Sequence, residues 1–135
     1  MGGYSYLDVT LARAVMATAE RIRFARRVVL RVKPERIDEF LSTMRGEVSP
    51  ELNKERGIRR VYLLKDTDRQ NEFISLTLWN SKSDADAYES TGHFAANKDK
   101  IRELLEEEPT ISLLEVEYHT VSPALPPPAE ATSSP

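Results

Sequence analysis

The stretch LTLWNSKSDADAYESTGHF, residues 76–94, concentrates side chains that could do chemistry. His93 ionises near neutrality, as a general base should. The Tyr88 hydroxyl can donate and accept a hydrogen bond. Trp79 and Phe94 are large apolar rings beside them in the chain. Each also has a plainer reading. His93 can be a helix-start residue bonded to backbone, Tyr88 and Phe94 core packing, and Trp79 core or dimer interface. Tyr62, Asn97 and Lys98 are further polar groups for a cleft. Glu115, Glu117 and His119 recur at strand period and point to one side. With Arg27 and Arg31 opposite, that row is expected to be a salt-bridge ladder rather than a metal site. There is no Gly-rich phosphate loop, no Ser-His-Asp order and no aromatic–basic platform for single strands.

Composition bounds what these residues can belong to. A chain of 135 residues, 40% hydrophobic and 30% charged, suits one globular domain with a modest core. A formal net charge of −3 gives no electrostatic footprint for a nucleic-acid backbone. The absence of cysteine removes disulfides, thiolate nucleophiles and Cys-based zinc sites together. No apolar run approaches the roughly 20 residues a membrane helix needs, and a cytoplasmic protein is expected. Residues 7–22, LDVTLARAVMATAERI, are broken by Asp8, Arg13, Glu20 and Arg21, so no signal-peptide core is present. Leu7, Leu11, Ala14, Val15 and Ile22 form an apolar stripe at helical spacing. Residues 1–24 are therefore read as an amphipathic helical extension, and the Pro/Ala/Ser-rich residues 122–135 as a disordered tail.

Between these ends the chain must supply elements that position the candidate residues. Arg26 to Val32 reads as a strand, and Pro34 opens a helix with Ile37, Phe40, Leu41 and Met44 on one face. Strands follow over Ile58–Lys65 and Glu72–Trp79, joined by the polar run DTDRQN. Ser81 or Ser83 caps the next helix, Gly92 breaks it, and a second helical piece runs from His93 to Leu105. A last strand spans Thr110–Val121. The order β-α-β-β-α-β is that of a ferredoxin-like α+β fold, a split βαβ with an antiparallel sheet.

Alternation assigns Val28, Leu30 and Val32, then Ile74, Leu76 and Leu78, then Leu114, Val116 and Tyr118 to the helix-facing side. The other side then carries Val29, Phe73, Trp79, Ile111, Leu113 and Val121, mixed with charged residues. A face that apolar is expected to pair with a second copy, giving a homodimer. The alternative is that the N-terminal helix covers it within one chain.

Residues 25–121 resemble the antibiotic biosynthesis monooxygenase family of the dimeric α/β-barrel superfamily. The resemblance rests on VLRVKPERIDEFL, a strand running through Lys-Pro into a helix ending in Phe-Leu. It rests equally on LWNSKSDADAYESTGHF, a Trp-x-Ser motif with a downstream aromatic pair. It implies a ferredoxin-like protomer, sheets closing into a barrel between two copies, and a small-molecule cleft between sheet and helices. It further implies a cofactor-independent monooxygenase acting on a small aromatic or quinol-type metabolite. Such a pocket binds an aromatic, favours its deprotonated form and holds dioxygen beside it, without metal or flavin. On that reading His93 and Tyr88 are catalytic, and Val28, Phe40, Met44, Trp79 and Phe94 bind substrate. A non-catalytic small-molecule-binding or stress-related dimer is the alternative. A haem-degrading branch uses an asparagine, a tryptophan and a histidine where this chain has Val28, Tyr88 and Lys98, which argues against haem binding or degradation.

Overall fold

The computed structural model describes residues 21–124. Strand β1 (Phe24–Arg31) passes through a 3-10 turn (Pro34–Arg36) into α1 (Ile37–Thr43), which a π-helical turn (Met44–Val48) and the short α2 (Ser49–Leu52) prolong. Strands β2 (Ile58–Lys65) and β3 (Glu72–Trp79) make a hairpin. They are followed by α3 (Lys82–Ser90), α4 (His93–Ile101), a 3-10 turn (Arg102–Leu104) and β4 (Thr110–Glu115). The sheet is antiparallel throughout, in the order β2-β3-β1-β4. This is the ferredoxin-like α+β arrangement, an open sheet with the helices on one face. The helix expected near the N-terminus and the tail beyond residue 124 lie outside the described residues. Ile22, the last member of the N-terminal apolar stripe, is buried.

Local signals explain the helices. Phe40, Met44, Val48 and Leu52 recur every four residues and are all buried. A strict α-helix would let such a spacing drift around the rod, and the wider π turn keeps the four in line. Ser81 caps α3, its Oγ accepting the Asp84 N–H at 3.1 Å. Gly92, at φ 88°, turns the chain sharply into α4.

The sheet corrects one expectation. Across β1 and β3 the partners are Phe24 with Trp79, Arg26 with Thr77, Val28 with Ser75 and Leu30 with Phe73. Directly paired residues share a face, so Phe73, Ser75, Thr77 and Trp79 look at the helices, while Ile74, Leu76 and Leu78 look away. Phe73 and Trp79 are 2% and 0% exposed. Phe73 packs on Phe40 at 5.1 Å and Trp79 on Tyr88 at 5.6 Å between ring centres. Each buried phenylalanine contributes about 2–3 kcal/mol relative to an exposed one, and only the helix side offers that burial within one chain. On β4, likewise, Ile111 and Leu113 share the side of Val28 and Arg26, whereas Leu114 lies on the open face.

The open face is thus apolar with a different membership. Ile74, Leu76 and Leu78 lie beside Leu64 and Tyr62 of β2 and Val29 of β1. Tyr62, Leu64 and Leu114 remain 43–44% exposed. The expected ladder of Arg27 and Arg31 with Glu115 and Glu117 is also corrected. Arg27 stands opposite Ser112 and Glu115 opposite Phe24, on opposite faces, while Arg31 pairs with Glu72 at 3.2 Å and Glu107 at 3.4 Å. Strand β4 stops at Glu115 rather than Val121, with one more backbone bond beyond its end, from Val116 N–H to Arg23 O at 3.0 Å.

Candidate functional site

Side-chain volume on β3 opens the site. Phe73 and Trp79 fill the two ends of its helix-facing side, but Ser75 and Thr77 between them are small. A cleft of about 450 Å³, counting its open mouth, lies above this middle section, beneath α3, α4 and the π turn. Its enclosed interior is narrow. Val28, Met44, Tyr88 and Phe94 are on its walls, as four of the candidate residues. Asn97 and Lys98 join them, as does Arg26.

Tyr88 is the polar centre. Its ring is held between Trp79 and Phe94, the latter edge-on at 5.8 Å. Asn97, itself buried, donates from Nδ2 to the Tyr88 Oη at 3.0 Å. Because Oη accepts that bond, its own proton is left to donate. Burial pushes the phenol above its ordinary ionisation range, outweighing the opposing pull of the Asn97 bond and the Arg26 charge. Tyr88 is therefore a neutral hydrogen-bond donor near neutrality, not a tyrosinate base.

Two cations share the cleft. The Arg26 side chain is 2% exposed and lies 4.6 Å from the Phe94 ring centre and 5.5 Å from that of Tyr88. Its Nη1 donates to Glu89 Oε1 at 3.0 Å. Lys98 Nζ sits 5.8 Å from the Phe94 ring centre and is paired with Glu108 at 3.1 Å. Sequence reasoning passed over Arg26, yet the signal was there: in FARRVVLRV it keeps step with Phe24, Val28, Leu30 and Val32 on the buried side of β1.

The other candidates fall elsewhere. His93 starts α4 but faces outward, its side chain 59% exposed and its Nδ1 2.8 Å from Glu55 Oε2. It is absent from the cleft wall. Trp79 and Phe40 are wholly buried in the core behind the cleft, with Trp79 Nε1 donating to Thr77 Oγ1 at 2.8 Å. Tyr62 is on the open sheet face. Val28, Tyr88 and Lys98, which stand where the haem-degrading branch has its asparagine, tryptophan and histidine, all line the cleft. What the arrangement offers chemically is an apolar slot for a flat ring, one neutral hydroxyl donor and two cations that favour an anion.

The family model described as antibiotic biosynthesis monooxygenase matches residues 23–100. No curated protein matches the chain significantly. Among solved structures, a candidate antibiotic biosynthesis monooxygenase from Nitrosomonas europaea is 20% identical, covering 70% of this chain and 99% of its own, with a TM-score of 0.61. A monooxygenase from the gene ActVA-Orf6 of Streptomyces coelicolor, in complex with the ligand nanaomycin D, is 15% identical, covering 77% and 95%, with a TM-score of 0.64. A similar candidate monooxygenase from Bordetella bronchiseptica is 17% identical, covering 69% and 95%, at 0.60. At these identities the likeness is one of fold.

Proposed function

Since the chain belongs to the antibiotic biosynthesis monooxygenase family, we propose that it is a cofactor-independent monooxygenase of small aromatic phenols or quinols. The observation that carries this reading is the aromatic-walled cleft in which the neutral Tyr88 hydroxyl and the cations Arg26 and Lys98 stand together. A bound phenol there loses its proton more readily, because both cations stabilise the aryloxide. The aryloxide supplies the electrons. One atom of dioxygen becomes the new ring carbonyl, the other leaves as water with the phenolic and ring hydrogens, and the four electrons come from the substrate. Tyr88 donates its hydrogen bond to the oxygen anion that develops, and His93, which faces outward, takes no part in this scheme. Dioxygen uptake with a panel of electron-rich phenols, from naphthols to anthrone, tests this. Uptake above the protein-free rate is expected, reduced at least tenfold by Tyr88→Phe and changed less than twofold by His93→Ala. No stimulation by any member of the panel sinks the enzymatic reading.

The same proposal includes a homodimer that buries the open sheet face of Ile74, Leu76, Leu78 and Leu64, because an apolar face of that extent favours a partner over water. A non-catalytic binding dimer is the second reading, favoured by the narrow interior of the cleft. It predicts stabilisation by aromatic ligands with no dioxygen uptake.

A further inference from the structure

Arg26 uses little of its bonding capacity. A guanidinium carries five N–H donors and never loses its charge in a protein. Here the side chain is 2% exposed, yet only Nη1 is engaged, by a Glu89 carboxylate that is itself 53% exposed. Nε and Nη2 are buried and have no hydrogen-bond partner among the described residues. A buried, half-satisfied cation is costly, and an apolar residue at this strand position would stabilise the fold better. Burial of this kind marks a group held ready for something else.

The geometry says for what. Nε–H and Nη2–H point in parallel from one edge of the guanidinium, the edge that grips both oxygens of a carboxylate. Glu89 anchors the remaining corner from outside, and the rings of Phe94 and Tyr88 fix the plane. The guanidinium is therefore held in place, and Arg26 is one of the residues lining the cleft. We infer that Arg26 is a carboxylate subsite, and that the aromatic ligand of this cleft is an acid whose carboxylate takes the Nε/Nη2 edge in two parallel hydrogen bonds. A lone phenolate oxygen engages one of the two donors; a carboxylate engages both. Access requires a half-buried wall residue such as Lys98 or Pro109 to shift. The inference rests on the reading of the cleft as an aromatic-binding site.

Calorimetric titration without dioxygen, using 1-hydroxy-2-naphthoate and its neutral amide, tests the assignment. The full-length protein is expected to bind the acid about 10- to 100-fold more tightly than the amide, the range for a charge-assisted bidentate pair. Arg26→Met, which keeps the volume, is expected to bind the two equally, and Arg26→Lys to retain only part of the preference. Equal affinity in the wild type, or a preference surviving Arg26→Met, overturns the subsite. Should Arg26→Met fail to fold, the wild-type pair and Arg26→Lys decide. Binding of neither probe at millimolar concentration overturns both the subsite and the aromatic-cleft reading. A preference for the acid without dioxygen uptake by any phenol leaves the subsite standing and removes the oxygenase.

Discussion

The bond between Asn97 and Tyr88 can be measured apart from the packing around it. Tyr88→Phe deletes one oxygen and leaves the ring against Trp79 and Phe94 unchanged. The loss therefore falls on the hydroxyl alone. Asn97 Nδ2, 3.0 Å from Oη and buried, loses its acceptor. Stranding a buried amide donor costs about 1–3 kcal/mol, while removing a partly desolvated hydroxyl returns some of that. A net destabilisation of about 1–2 kcal/mol is expected, or about 3–6 °C in melting temperature for a domain of this size. Asn97→Ala costs more, about 2–3 kcal/mol, because it also removes packing and the bond that Lys100 Nζ donates to Asn97 Oδ1 at 3.1 Å. The double variant separates these contributions. Once either partner is gone, the second substitution no longer breaks the shared bond, so the cycle should show a coupling of about 1 kcal/mol. Urea denaturation of the four proteins supplies the values. Strict additivity, with coupling below about 0.3 kcal/mol, would refute the hydrogen bond from Asn97 to the Tyr88 hydroxyl.

Gly57 and Gly92 both have positive φ, at 83° and 88°, but differ in surroundings. Alanine at Gly92 meets open space and should cost about 1 kcal/mol in denaturant titration, whereas at Gly57 its Cβ would press into the Asp84 carboxylate and cost about 2–4 kcal/mol; equal costs would refute the contact. The raised phenol of Tyr88 has a sign that can be checked. The folded state holds this proton more tightly than the unfolded one, so its contribution is present below pH 10.0, the ordinary tyrosine value, and fades as the pH rises past it. Ultraviolet titration should show one tyrosine ionising late, and that late step should vanish in Tyr88→Phe. Leu76→Glu, on the open sheet face, is expected to convert particles of about twice the 15.3 kDa chain mass into single chains by light scattering, with the fold retained by circular dichroism. Single chains of the unaltered protein at micromolar concentration would refute the sheet-to-sheet dimer.

Local signals carried much of the architecture. Strands Ile58–Lys65 and Glu72–Trp79 were legible to the residue, because Gly57, the run DTDRQN and the Asn80–Ser81 turn bracket them. The helix break at Gly92 and the cap at Ser81 were equally local, resting on backbone freedom and a short side-chain bond. Of the residues that the resemblance pointed to, Val28, Met44, Tyr88 and Phe94 line the cleft, while Phe40, Trp79 and His93 do not.

What the chain alone determined was therefore the order of elements, the alternating pattern and the residues available for a cleft. Which face of β3 meets the helices was decided only by pairing. Period-two alternation on FISLTLW defines two apolar sets without ranking them. The antiparallel partners on β1, and the room beneath Phe40 and Tyr88 for the larger rings, choose between the two. The outward turn of His93 toward Glu55 depends on how α4 leaves Gly92, and the isolation of Arg26 Nε and Nη2 depends on helices more than sixty residues downstream (Glu89 is 63 positions away). Such facts are sums over non-local contacts, and no window of sequence contains them.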